Sequence, residues 1–321
     1  MRITIAGSGA MGCRFGGVLS EAGHDVLLLD GWREHVDAIN ANGLQITGER
    51  GTRTVPVTAR LFPAADPADL VIVFCKATTT AEVAAAAAPA IGPRTLVLTL
   101  QNGLGNIEAL LEHVPRRRIL AGTTTLGTEL LGPGHIRALG SGETVLGALT
   151  PGSDSPERTV AALASAGILA RVTHDALGAI WSKVAFNCVL NSLCAIASIP
   201  VSALALYDGF ESLAGSILDE VAAVAVASDG VTVDADAALA LMRAQFSPSA
   251  SGDHLASTLQ DLINGRPTEI AHLNGAVAER ATAHGLAAPA NALITHLVRL
   301  LEATRDRRVT AVTSSAITSA E

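Results

Sequence analysis

In the first half of the chain, short apolar runs alternate with segments whose apolar residues recur at helical spacing. A run of four to six apolar residues suits a strand buried on both faces, and recurrence every three or four residues suits a helix packed against it. The pattern predicts strands over Arg2–Ala6, Val26–Leu29, Leu44–Ile46, Val55–Thr58, Leu70–Phe74, Leu96–Leu100, Arg118–Ala121, His135–Ala138, Thr144–Leu146 and Ile168–Val172. It predicts helices over Ala10–Ala22, Trp32–Asn42, Thr80–Ala88 and Pro156–Ala166, with Gly23, Gly43 and Gly167 as stop signals. Alternating strands and helices imply an α/β fold with a doubly wound, mostly parallel sheet covered on both faces. Beyond about Asp175 the strand signals cease. Helical spacing then dominates Ala176–Ser198, Phe210–Ser228, Ala235–Gln245, Ser257–Ile263, Glu269–His284 and Ala290–Thr304. The expected organisation is an α/β domain over residues 1–174 and an all-helical domain over 175–304. A polar, Thr/Ser/Ala-rich mobile tail is expected over 305–321.

Composition narrows the class. Of 321 residues, 49% are hydrophobic but only 3% aromatic, so the core must be built from Ala, Val, Leu and Ile. A net charge of −8 argues against nucleic acid or anionic lipid as a partner. The mean hydropathy of +0.40 raises the question of a membrane span, and 176–207 is the nearest candidate. Lys183, Asn187 and Asn191 interrupt it, so it reads as a buried helix of a soluble protein, with no membrane expected. Met1 to Gly7 leaves no room for a signal peptide, and Cys13, Cys75, Cys188 and Cys194 lack any C-x-x-C or metal-ligand spacing. The expectation is a cytoplasmic protein with no metal. His24, His135, His254, His272 and His284 read as structural or surface residues.

The first chemical signal is Gly7-Ser8-Gly9-Ala10-Met11-Gly12, a G-x-G-x-x-G that follows a strand, opens a helix and precedes Asp30 by 18 residues. In that context it is the fingerprint of a Rossmann-type dinucleotide-binding domain. Gly7 serves the tight turn, Gly9 the approach of a pyrophosphate and Gly12 the helix–strand packing. Asp30 stands where a carboxylate accepts from ribose hydroxyls, which leans towards NAD. Arg33 could instead pair with a 2′-phosphate, so NAD and NADP both stay open.

Lys76 and Asn102 each follow an apolar strand, and carboxyl ends of strands line the ligand crevice of an open α/β sheet. Lys183, Asn187 and Asn191 are spaced i, i+4, i+8 and lie within about 80° of arc on one helix face. Apolar neighbours flank them, so the stripe should line a polar cleft or meet an acid. Position alone gives Ser257 the plain role of a helix N-cap and Glu269 that of a carboxylate in a helix's first turn.

Taken with Gln101-Asn102-Gly103, Gly122-Thr123-Thr124-Thr125, Trp181-Ser182-Lys183 and the segment Arg266-Pro267-Thr268-Glu269-Ile270, these residues resemble the ketopantoate reductase (2-dehydropantoate 2-reductase) family over about residues 1–303. The resemblance implies a Rossmann domain, a helical domain and an active-site cleft between them. It implies hydride transfer from NAD(P)H to the C2 ketone of a 2-oxo acid, with Lys183 as general acid. Asn102, Asn187 and Asn191 would hold the substrate and Ser257 its carboxylate. Glu269 would orient Lys183 or touch the substrate hydroxyl and the cofactor. Lys76 would meet the nicotinamide ribose, and Thr128 would lie near the cofactor. Three positions depart from the family habit: Val201 after Pro200, Ala271 after Ile270, and Asp30-Gly31-Trp32 where an arginine for NADP is common. They leave the exact 2-oxo acid and the dinucleotide open, with a paralogous reductase of another 2-oxo acid as the alternative. A non-catalytic NAD(P)-binding redox sensor is a further alternative, although it would not need Lys183 and Glu269. The oligomeric state also stays open, a homodimer among the options.

Overall fold

The computed structural model describes residues 1–49, 51–150, 152, 156–246 and 255–307. Strand β1 (Arg2–Ala6) leads through a glycine turn into α1 (Ala10–Glu21). Then come β2 (Asp25–Asp30), α2 (Arg33–Asn42), β3 (Leu44–Gly48), β4 (Gly51–Val55), β5 (Thr58–Leu61), β6 (Leu70–Val73), α3 (Thr80–Ala86), β7 (Leu96–Thr99) and α4 (Asn106–Leu111). Next are β8 (Ile119–Thr124), β9 (Gly127–Gly132), β10 (His135–Leu139), β11 (Glu143–Ala148), α5 (Pro156–Ser165) and β12 (Leu169–Val172). The rest is helical: α6 (Ala176–Ala197), α7 (Phe210–Asp229), α8 (Ala235–Gln245), α9 (Ser257–Ile263), α10 (Asn274–Ala283) and α11 (Pro289–Ala303).

Eight strands form one sheet in the order β12-β11-β8-β7-β6-β1-β2-β5. All pairs from β8 to β5 are parallel, β11 is antiparallel to β8, and β12 is parallel to β11. Successive strand side chains point to opposite faces. Leu70 and Ile72 of β6 accordingly join Phe15, Leu19 and Leu163 in one apolar cluster, while Val71 and Val73 join Ala84 and Leu110 in another. Cover on both faces is why β6 is apolar throughout. The strand order reverses at β1, with β2 on one side and β6 on the other, so the ends of β1 and β6 flank a topological switch point.

The structure corrects several local expectations. A separate four-stranded sheet, β4-β3-β10-β9, stands beside the main one. The expected strand Val55–Thr58 is really two: β4 ends at Val55 in the small sheet and β5 begins at Thr58 beside β2. Pro56 lies between them, and without an N–H it cannot carry a strand ladder across. The half-buried β9 shows no clean alternation, and α4 is too short to show a period. The expected helix over Glu269–His284 also divides. Ile270–His272 is a single 3-10 turn, and the chain breaks at Leu273 (φ −106°, ψ −109°) before α10. The break sends the wholly buried Asn274 side chain onto the Cys188 carbonyl and Asn291 Oδ1 rather than along a continuous helix.

The chain divides into two compact units, one of residues 1–185 with 225–233, the other of 186–224 with the described residues from 234 onward. The expected boundary at 174/175 precedes α6, whereas this division falls inside it. Asp175 opens α6 by accepting from the Gly178 N–H at 2.7 Å. Trp181, wholly buried, donates from its indole to Asp229 at 2.8 Å. The helix stops where Ser198 turns left-handed (φ 56°), two residues before Pro200. By length and composition α6 could cross a membrane, yet most of it is buried in the fold. Of the expected tail, Arg305–Arg307 forms a 3-10 turn. Residues 308–321 lie outside the described residues, as does His254.

Candidate active site

The glycine loop sits at the switch point. Gly7 has φ +94°, and a Cβ there would stand 2.6 Å from the Cys75 nitrogen just beyond β6. At Gly12 a Cβ would collide with the Gly7 carbonyl oxygen. Both positions therefore demand glycine for the loop, α1 and β6 to close together. Gly9 is different: its φ is −63°, and an added Cβ meets nothing within 4 Å. Its flank is open space, and no side chain caps α1, so the first-turn N–H groups are available to an anion.

Ser8 is pinned from every side. Its N–H donates to the Leu29 carbonyl at 3.2 Å, and its hydroxyl donates to Asp30 Oδ2 at 3.1 Å. Its carbonyl accepts from His35 Nε2 at 2.9 Å and from the Cys13 thiol at 2.9 Å. The other Asp30 oxygen accepts from the Trp32 N–H at 3.0 Å. The carboxylate is thus fixed at the end of β2, half-buried, beside the loop. Arg33, the first residue of α2, is exposed. Burial pushes the His35 imidazole pKa down, partly offset by the Asp30 charge and the Ser8 carbonyl. Burial likewise pushes the Cys13 thiol up, so it stays protonated.

The ends of β6 and β7 are tied together by Gln101, two residues beyond β7. Gln101 donates to the Cys75 carbonyl at 2.9 Å and to Thr80 Oγ1 at 2.8 Å, and accepts from Thr99 Oγ1 at 2.9 Å. Thr80 in turn donates to Asn106 Oδ1 at 2.8 Å, and Asn106 donates to the Asn102 carbonyl at 3.0 Å. This buried relay sets Lys76 and Asn102 on neighbouring strand ends. Asn102 Oδ1 is buried and finds no hydrogen-bond donor among the described residues. Thr128, in β9, reaches the glycine loop through its hydroxyl, 3.2 Å from Met11 Sδ.

Lys183, half-buried on α6, extends its ammonium to the Thr124 carbonyl at the end of β8, with Nζ 2.7 Å away. Asn187 and Asn191 are 5% and 9% exposed, so the polar stripe is not a solvated helix face. In the second unit Asn191 donates to Ser257 Oγ at 3.0 Å, which orients that hydroxyl. Ser257 is not the N-cap of α9. Ala256 holds that position, and the serine is the first helical residue. Glu269 is buried and precedes a 3-10 turn instead of lying in a helix's first turn, because the chain breaks at Leu273. Lys183 belongs to the first unit, and Asn187, Asn191, Ser257 and Glu269 to the second. Among the described residues no group of three His, Cys, Asp or Glu side chains is placed to hold a metal. Sequence reasoning passed over His35, Thr80, Asn106 and a largely buried chain in which Ser192 donates to Asn274 at 2.6 Å, Asn274 to Asn291 at 2.9 Å and Asn291 to Glu220 at 2.7 Å. Only the helical phase of His35 and Val36, on the inner side of α2, carries any signal of these in the sequence.

The family model described as ketopantoate reductase PanE/ApbA matches residues 3–151, and its C-terminal counterpart matches residues 175–302. The chain belongs to this family. The 2-dehydropantoate 2-reductase of Lactococcus lactis is 34% identical to it over 94% of this chain and 98% of that one. That of Halobacterium salinarum is 36% identical over 94% and 99%. Among solved structures, D-mandelate dehydrogenase with NADH and anilino(oxo)acetate superposes with a TM-score of 0.91 at 33% identity, covering 95% of this chain and 100% of that one. A PanE/ApbA family ketopantoate reductase from Ralstonia eutropha gives 0.85 at 36% identity, covering 95% and 100%.

Members of the family are NAD(P)H-dependent oxidoreductases, and the residues present suit a nicotinamide dinucleotide. The open flank of Gly9 and the uncapped start of α1 suit a pyrophosphate. A braced carboxylate at Asp30 suits ribose hydroxyls, and the unsatisfied Asn102 Oδ1 awaits a donor.

Proposed function

We propose that this protein reduces the C2 ketone of 2-dehydropantoate to the alcohol of pantoate, with NADH as the preferred reductant. Family membership over nearly the whole chain carries this reading, supported by a half-buried lysine followed at i+4 and i+8 by two buried asparagines. The functional boundary is taken between residues 174 and 175, ahead of the helix that bears this stripe.

Gly7, Ser8, Gly9, Ala10, Met11, Gly12, Asp30, Lys76, Asn102, Thr128 and Glu269 would hold the dinucleotide. When bound, a reduced nicotinamide supplies the hydride that C2 accepts. Negative charge then gathers on the ketone oxygen as the carbonyl π pair withdraws onto it. Lys183 stabilises that charge and gives its proton to the oxygen. The Thr124 carbonyl steers the Lys183 side chain before substrate arrives. Asn187 and Asn191 offer neutral donors and acceptors to the substrate hydroxyl, and Ser257, with its oxygen already engaged by Asn191, points its proton to the carboxylate. Glu269 orients the ammonium or the hydroxyl. NADH is favoured because Asp30 is fixed by two hydrogen bonds where a 2′-phosphate would be repelled, and Arg33 is exposed. The neighbouring D-mandelate dehydrogenase structures carry NADH. A cytoplasmic location belongs to the same proposal, α6 serving as a core helix.

The test is oxidation of NADH and NADPH by purified protein with a panel of 2-oxo acids. Fastest turnover with 2-dehydropantoate is expected. Preference for an aryl 2-oxo acid that lacks the hydroxyl would overturn the substrate, and no turnover with any would overturn the enzyme.

A further inference from the structure

His35 is 1% exposed, and its contacts join the small sheet to the glycine loop, with the Cys13 sulfur 3.3 Å from Nε2. Nδ1 faces the Gly134 N–H at 3.0 Å, which can only donate. Nε2 faces the Ser8 carbonyl at 2.9 Å, which can only accept. The two contacts together require a neutral imidazole with its proton on Nε2. The ring therefore bridges the β9–β10 turn of the small sheet and the middle of the glycine loop. Its face stacks on the Trp32 indole, with centroids 5.2 Å apart and planes 12° from parallel, and the Trp32 N–H holds Asp30. One ring thus braces the loop proposed to take the pyrophosphate and, through Trp32, the carboxylate proposed to take the ribose.

We infer that His35 is a positioning residue of the dinucleotide site. Its Nε2–H fixes the Ser8 carbonyl and so the loop main chain in the conformation that receives the pyrophosphate. The inference rests on the proposed dinucleotide reading of that loop. His35 is buried, with both ring nitrogens engaged within the protein, so its loss should weaken binding without slowing the chemical step.

The experiment compares His35→Leu, which removes both hydrogen bonds, with His35→Gln, which can keep a donor towards Ser8, and His35→Asn, which can keep only an acceptor towards Gly134. The readouts are the dissociation constants of NADH and NADPH followed by the dinucleotide's own fluorescence, the Tm, and the split between KM for the dinucleotide and kcat. For His35→Leu we expect the dissociation constant and KM to rise about tenfold, the scale of a lost buried hydrogen bond, with kcat within about twofold of wild type. His35→Gln should lie nearer wild type than His35→Asn, and this ordering decides the matter should the leucine variant not fold. A lowered Tm with unchanged dissociation constants in all folded variants would overturn the inference and leave the dinucleotide reading intact. Failure of wild-type protein to bind either dinucleotide would overturn both.

Discussion

Dinucleotide choice is where the geometry makes its most quantitative commitment. Asp30 is half-buried, and its two oxygens are already engaged by Ser8 Oγ and the Trp32 N–H, so it cannot easily swing aside. A phosphate on the ribose 2′-oxygen would carry about −1.5 to −2 charges. Were that phosphate about 5 Å from the carboxylate, the repulsion would be about 1.5 kcal/mol in water and about 6 kcal/mol at an effective dielectric of about 20. Partial exposure and salt favour the lower figure. Removing the charge should therefore shift the NADH/NADPH ratio of kcat/KM towards NADPH by about tenfold to a hundredfold. Asp30→Asn isolates the charge, because an amide oxygen can still accept from Trp32 or Ser8. Asp30→Ala removes the acceptor as well and should also weaken NADH. Steady-state kinetics with both dinucleotides on wild type and both variants decides it. Strong wild-type preference for NADPH, unmoved by either substitution but abolished by Arg33→Ala, would refute the reasoning and show that Arg33 folds over the ribose.

Other outcomes follow from the same site. Lys183→Met should lower kcat/KM by about 10²–10⁴ while leaving dinucleotide affinity in place; a loss below about threefold would take the lysine out of the proton transfer. Asn102→Ala and Asn191→Ala should penalise a hydroxylated 2-oxo acid by about 1–3 kcal/mol more than pyruvate, which parallel kinetics on the two substrates would register. In the acid range, the unfolded chain takes up a proton at His35 near pH 6.5 while the folded chain, where burial lowers the imidazole pKa, resists it. Stability contributed by neutral His35 is therefore complete above about pH 6.5 and declines as the pH falls below it. Thermal melts should show that decline flattened in His35→Gln.

The sequence exposes chemistry that is local to it. Gly7 to Gly12 with Asp30 fall within one strand–helix–strand unit and the Lys183–Asn187–Asn191 stripe on one helix, and their short-range spacing carries the signal. Roles assigned by distant partners leave no such trace. His35 meets Gly134 from 99 residues away, and nothing near either residue announces the other. The small sheet is hidden for the same reason, since β3 pairs with β10 from a distant part of the chain and β9 lacks an alternating pattern. The break at Leu273 escapes a periodicity argument because the partner that draws Asn274 inward is the Cys188 carbonyl, on another helix.

The three glycines of the loop answer to different selective pressures. At positions 7 and 12 a methyl group strikes backbone that the fold itself needs, so folding and binding both reject it. At position 9 the fold leaves room, and only an occupant of that room can object. A drifting lineage that lost the ligand but kept the fold would therefore be free to change residue 9 first. The identity of that single residue becomes a record of whether the loop is still in use, written in a place where packing has no vote.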